Sequence, residues 1–518
     1  MKVKTIQTVF CLFQNSLPLG TTKTIKIIPM KNAFTFLFLL SISFSFAQYT
    51  TPGTGVDWTL DDVATASPAT VTVSGSTYTL LENITVSATD ILRINSDLTL
   101  EIEAGVRITV LEDGSFFIDT DSVLITAVDE AAPYDGFRFE EGSDVNIQNT
   151  TFQYGGGLQV LTETFTLNNC ILQNNVSGVT TGATVTLSRG VPVITNNVFL
   201  YNANPAISSG ANQSVSAYIF NNYIEGNNQT NNNRPQINMG ATRVNDTLKI
   251  IQNTIVGDRD MEQAGGIAVA NLVGGTLRAI IQDNVIIDNR YGITVVGPNS
   301  YALIKNNIIE DNDTQGNPNL GGSGINLNAP TGGMTVDVTE NQIRRNLWGV
   351  TIQGPVDANF GDDDENPGLN VFSENGNGGV IYALYNNGPN TISAKHNCWV
   401  EGGEGTLAEA EDVIFHQVDD PTLGEVLFDP IYCEPLANIV EVNPASVVVY
   451  PNPADNQIIL QNQQYFETIT FYTVNGQKVF STTLNEGNNT IHFDLPSGIY
   501  FVALEGGNNQ TVKKVVVR

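Results

Sequence analysis

Asn306-Asn307-Ile308-Ile309-Glu310-Asp311-Asn312 recurs in altered form from about residue 149 to residue 402. The other copies are Asn168-Asn169-Cys-Ile, Asn196-Asn197-Val-Phe, Asn221-Asn222-Tyr-Ile, Asn253-Thr-Ile, Asp283-Asn284-Val-Ile, Asn341-Gln-Ile, Asn370-Val-Phe and Asn397-Cys-Trp. Alignment on the second Asn gives a column of Asn169, Asn197, Asn222, Asn253, Asn284, Asn307, Asn341, Asn370 and Asn397, preceded by a degenerate Thr150. Successive members lie 23 to 34 residues apart, the length of one supersecondary unit with variable insertions.

Two residues on comes an apolar column: Phe152, Ile171, Phe199, Ile224, Ile255, Ile286, Ile309, Ile343, Phe372 and Trp399. Five residues after the Asn comes a second polar column: Asn174, Asn202, Asn227, Asp258, Asn289, Asn312, Asn346 and Asn375. Asn tolerates the left-handed backbone of a sharp bend, and its amide can bond to equivalent amides above and below. Stacked coils are therefore expected to carry Asn ladders at their corners. Gly before a β-branched residue marks a further strand at Gly266, Gly292, Gly324, Gly349 and Gly379. Short period-two strands between turn residues exclude a helical solenoid and predict an all-β parallel β-helix. Its hand is expected to be right, from the preference of strand crossovers. The pattern resembles the right-handed parallel β-helix superfamily that includes pectate lyases, over roughly Asp57 to Pro435.

The ends of the chain have their own grammar. Lys31, the apolar run Phe34 to Phe46 and Ser45-Phe46-Ala47 read as a signal peptide, so residues 1–47 are set apart as an upstream extension and leader, and the mature chain begins near Gln48. The apolar run is too short for a transmembrane anchor. Residues 48–148 read as an N-terminal cap and first coils, with a short helix at Trp58-Thr-Leu-Asp-Asp-Val-Ala. Residues 149–435 are the repeats and a closing segment in which Trp399 fills extra space, and residues 436–446 are a linker. The closing segment resembles that of secreted β-helix proteins, which makes Cys398 and Cys433 a candidate disulfide pair.

From Val447 to Arg518 alternating strands surround Tyr450-Pro-Asn-Pro453, the hairpin signal Asn475-Gly476, Leu495-Pro-Ser-Gly498 and Lys513-Lys-Val-Val-Val-Arg518, predicting a small β-sandwich. The order of these motifs resembles the type A C-terminal sorting domain of the type IX secretion system of Bacteroidetes. That resemblance implies export to the outer surface or the medium, with the secretion machinery as partner.

Acids outnumber bases 53 to 23, for a net charge of −30, which argues against a nucleic-acid partner. Insertions at Asn227–Pro235, Asp258–Gly265 and Asn312–Ser323 follow the second polar column and should gather along one edge, the usual binding side of a solenoid. On that edge Arg234 and Arg259 offer hydrogen-bonding forks to sugar hydroxyls or acids, and Tyr291 and Trp348 offer stacking faces, although an aromatic before Gly can equally be filler. A uronate lyase, which the fold resemblance brings into view, would take its base from residues such as Arg243, Lys249 or Lys305, but no familiar lyase motif joins them. His396, His416 and His492 form no hydrolase cluster, and no Gly-x-Ser-x-Gly elbow is present. No cofactor is expected; Asp362, Asp363 and Asp364 are the candidate calcium ligands, although their run lacks a calcium-loop spacing. Two readings stay open: a polysaccharide-binding or adhesion module, and a lyase acting on an acidic polysaccharide.

Overall fold

The computed structural model describes residues 48–433 and, in the C-terminal domain, residues 447–450, 454, 456–462, 466–473, 477–485, 488–506 and 509–517. The leader, the linker, Pro451 to Pro453 and the Asn475-Gly476 turn lie outside the described residues. The chain divides into two compact units, up to Gly210 and from Ala211.

In the first unit the chain winds through three parallel sheets in turn. One coil is Leu98–Ile102 in the first sheet, Arg107–Val110 in the second and Ser115–Ile118 in the third; the next begins at Val123–Ala127, directly against Leu98–Ile102. Alternate residues such as Leu100, Ile102, Ile108, Val110, Phe116 and Ile118 point inward and are buried. The predicted helix forms at Leu60–Ala66. Its cap is reciprocal, with Thr59 Oγ1 accepting from Asp62 N and Asp62 accepting from Thr59 N. Beside it the segment Gly53–Val56 wraps a buried carboxylate. Asp90 accepts from the backbone N–H of Gly53 at 2.6 Å, Thr54 at 3.0 Å, Gly55 at 2.9 Å and Val56 at 3.1 Å.

In the second unit the same three sheets recur, as in Leu277–Gln282 (third), Val285–Ile287 (first) and Ile293–Val296 (second). At the corner from third sheet to first, Nδ2 of each Asn donates to Oδ1 of the Asn one coil on: Asn222 to Asn253 at 2.9 Å, Asn253 to Asn284 at 3.0 Å, and Asn284 to Asn307, Asn307 to Asn341 and Asn341 to Asn370 at 2.9 Å each. Asn370 to Asn397 closes the row at 2.8 Å. The bend itself is made by the preceding residue: Asn221, Gln252, Asp283, Asn306, Glu340, Leu369 and His396 have positive φ between 51° and 62°. Bending and bridging, which sequence reading assigned to one Asn, thus fall to adjacent residues.

Four column assignments need correction. In the first unit Asn169 makes the bend with φ 54°, and the ladder place belongs to buried Cys170, whose N–H donates to Asn197 Oδ1 at 2.9 Å. The inward residue of that coil is Leu172, in register with Phe152 and Phe199, so Ile171 is displaced by one; likewise Asn175, bonded to Asn202 at 2.9 Å, takes the place expected of Asn174. In the second unit Asp258 is not in the ladder. Gln236 reaches in instead, accepting from Asn227 N at 3.1 Å and donating to Asn289 Oδ1 at 2.9 Å.

The glycines of the second sheet have a steric cause. A Cβ on Gly266, Gly292, Gly324 or Gly349 would fall 2.3 to 2.8 Å from a carbonyl oxygen of the next coil. Gly379 is not part of this row: it turns a small hairpin between Gly376–Asn377 and Val380–Ile381, and the sheet resumes at Leu384–Asn387, where Leu384 pairs with Val350.

The repeat closes on Trp399, buried and stacked on Phe372 with centroids 4.7 Å apart, beside the Cys398–Cys433 disulfide and the capped helix Leu407–Glu411. Buried His416 accepts from Val426 N at Nδ1, 2.9 Å away, leaving Nε2–H to face Glu411. The C-terminal domain is two antiparallel sheets, one of three strands and one of four, around a core that includes Ile458, Leu460, Ile469, Phe471, Val502 and Val515.

Candidate functional site

The three insertions all lie between a strand of the first sheet and the following strand of the second, at Arg234–Met239, Ala264–Ala270 and Ser323–Asn328. They interlock. Gln229 Nε2 donates to Asp258 at 2.9 Å and Gln263 N to Asn231 Oδ1 at 2.8 Å. Arg290, buried at 8% exposure, sends one guanidinium nitrogen to Asn233 Oδ1 and the other to the carbonyl of Leu320. The edge is therefore a fixed wall built around one arginine.

The residues expected to bind ligand there differ in exposure and in surroundings. Arg234 is exposed at the start of its strand. Arg259 is exposed but occupied, with Asp288 at 2.6 Å and Asp313 at 2.7 Å. Tyr291 is half-buried, and its ring lies against Gly265, where a Cβ would come within 2.2 Å of it; burial pushes its phenol up. Tyr134 sits on Gly155 in the same way in the first unit, so an aromatic ring filling the place of a missing side chain is a recurring packing device.

Trp348 belongs to a different arrangement. Its Nε1–H donates to the carbonyl of Pro318 in the long insertion at 2.9 Å. Its half-exposed ring meets Tyr382 with centroids 4.7 Å apart and Tyr385 at 5.6 Å, and Tyr385 meets Phe415 edge-on at 4.9 Å. Tyr385 and Phe415 are register partners on adjacent strands whose inward neighbours Leu384 and Ile414 are buried, so these rings face outward. The result is a half-exposed aromatic ledge across three coils. Only Trp348 of this group stood out in the sequence; Tyr382, Tyr385 and Phe415 were missed because a hairpin and a helix separate them along the chain.

The basic candidates gather on another face. Lys249 and Lys305 point outward from the third sheet, and Arg243 lies in the loop leading into it. Lys305 pairs with Glu340 at 3.1 Å. Arg344 and Arg345 are bound within a network with Glu310, Asp311 and Glu401 on the first sheet.

The acidic loop is largely self-bonded. Asp362 accepts from Asp364 N at 2.8 Å, Asn366 N at 3.0 Å and Asn359 Nδ2 at 2.6 Å, and these bonds hold its carboxyl below the usual range. Asp363 faces Lys395 and, at 3.1 Å, His396. Among the described residues no group of three or more His, Cys, Asp or Glu side chains is arranged to hold a metal ion, and no helix is long and apolar enough to cross a membrane.

No curated protein matches the chain. Among solved structures, the tailspike protein gp49 from Acinetobacter baumannii bacteriophage Fri1, a capsular polysaccharide depolymerase, is similar at 8% identity and a TM-score of 0.23, over 91% of this chain and 78% of its own. That similarity is too weak to transfer anything to this protein. Residues 448–518 match the family described as the secretion system C-terminal sorting domain. The chain is thus a β-helix protein ending in a type IX sorting domain, exported to the cell surface or the extracellular space.

Proposed function

We propose that the protein is a polysaccharide-binding or adhesion module that uses the aromatic ledge of Trp348, Tyr382 and Tyr385 beside the insertion wall. The ledge is the observation that supports this reading. Half-exposed rings give the C–H faces of pyranoses an apolar platform, and the hydrogen bond from Trp348 to Pro318 fixes that platform before any ligand arrives. Arg234, exposed in the same sheet four strands before Trp348, can contact only a polymer long enough to run on from the ledge across the intervening coils. The lyase reading has less support. Lys305 is neutralised by Glu340, and among the described residues neither Lys249 nor Arg243 pairs with an acid that could share a proton-transfer role. Incubating the purified chain with a panel of neutral and uronate polysaccharides, with and without calcium, separates the two by following retention and unsaturated-product absorbance. Retention that weakens in Trp348→Ala without product formation is expected; product formation would replace this reading with the lyase.

A further inference from the structure

The third sheet of the second unit carries a basic and apolar outer face that the aromatic ledge does not explain. Its rows follow from register: Tyr218, Lys249, Ile280 and Leu303 stand side by side, as do Arg278 and Tyr301. Arg243 is tied to the same place, because Thr242 Oγ1 accepts from Arg278 N at 3.1 Å and Thr242 N donates to Thr276 O at 2.9 Å. Most cations of the β-helix are spent on acids, as in Arg93–Asp57, Arg107–Asp135, Arg259–Asp288 and Lys395–Asp363. Arg243, Lys249 and Arg278 have no acidic partner among the described residues.

The surroundings are shaped as well as charged. The guanidinium of Arg278 lies over the Tyr301 ring, 4.7 Å from its centroid, which orients its fork across the face. Tyr218 and Phe220 stack at 5.4 Å on the coil before, and Ile280 and Leu303 extend the apolar strip. Asp246 lies beside the patch but turns its carboxylate to Thr247 N at 2.8 Å, and Asp337 ends the row one strand beyond Leu303.

We propose that this face is a second binding site, for a linear acidic polysaccharide lying across the strands. Neighbouring strands stand about 4.8 Å apart, close to the advance of one sugar along an extended chain, so successive coils meet successive sugars. Carboxylate or sulfate groups pair with Arg243, Lys249 and Arg278, and ring faces rest on Tyr218, Ile280 and Leu303. Nucleic acid fits less well: its denser charge meets only three free cations here and a strongly acidic protein around them.

The test is independent of the ledge. Affinity electrophoresis of the full chain through dextran sulfate, alginate and neutral dextran is expected to show retardation by the two acidic polymers that high salt removes, while neutral dextran reports any binding through the ledge alone. Combining Lys249→Gln with Arg278→Gln should weaken that retardation roughly tenfold or more, leave the melting midpoint unchanged because both side chains are exposed, and leave any binding through Trp348 intact. Arg93→Gln, in the first unit, serves as the control and should change nothing. Equal retardation of the double variant and the parent overturns the proposal, as does a parent that ignores both acidic polymers or whose retardation by them survives high salt.

Discussion

Asn307 donates twice to one atom of Asn341: its backbone N–H and its Nδ2 both reach Asn341 Oδ1 at 2.9 Å. Its remaining Nδ2 bonds go to the carbonyls of Ile281 at 2.9 Å and Lys305 at 3.0 Å, so one buried amide ties three coils. Asn307→Ala should strand these carbonyls and the Asn284 donors, costing about 3 kcal/mol as a lowered unfolding midpoint. Asn307→Asp is the sharper probe. A carboxylate there faces two carbonyls, so burial and repulsion raise its folded pKa and the protonated form is favoured. The defect should be largest at neutral pH and shrink as pH falls through that raised value.

Gly292→Ala places a Cβ 2.4 Å from Ile309 Cγ2 and 2.5 Å from Gly324 O, and backbone cannot step aside without opening the sheet. A loss of about 3 kcal/mol or failure to express is expected. Gly292→Ala melting like the parent would show that the close approach of these coils is not a constraint.

Asp90 gives the first unit a pH dependence. Burial alone would raise its carboxyl, but the Thr51 hydroxyl and the N–H groups of Gly53, Val56 and Gly55 outweigh this and hold it low. Its contribution is therefore complete above the unfolded value of about 3.9 and is lost as pH falls through the lower folded value. Asp90→Asn should cost about 2 kcal/mol at neutral pH, with the difference from the parent vanishing in strong acid. Hydrogen exchange at Gly53 to Val56 reports the loss locally.

Arg290→Met keeps the bulk of the side chain and removes its bonds to Asn233 and Leu320. Limited proteolysis should then cut the loops at residues 228–233 and 313–322 faster than in the parent, while the strands remain protected.

Removing Tyr450 to Arg518 should leave the protein in the periplasm, by cell fractionation, since the sorting domain would be gone. Surface display of the truncated chain would contradict export by this domain.

The architecture was legible because inward and corner positions repeat with the coil. Errors arose where a different residue could do the same job. Asn168-Asn169 looks like every other Asn pair, yet Cys170 occupies the ladder place because its backbone N–H is enough to reach Asn197. Gln236 replaces an Asn from a neighbouring strand, which no column alignment can show. The candidate sites were harder still. Arg243, Lys249 and Arg278 are scattered in sequence and share a face only because adjacent strands and the loop tied to them by Thr242 bring them there, whereas Arg259, an equally good candidate by residue type, is consumed by Asp288 and Asp313.

The Asn row also has a direction. Every rung offers donors toward the C-terminus and an acceptor toward the N-terminus, as in Asn253 to Asn284 and Asn284 to Asn307. A freshly wound coil therefore presents two waiting N–H groups to the next, and the next arrives with the carbonyl that satisfies both. Assembly from the N-terminal end therefore needs no rearrangement of coils already in place, so each finished coil serves as the template for the one that follows.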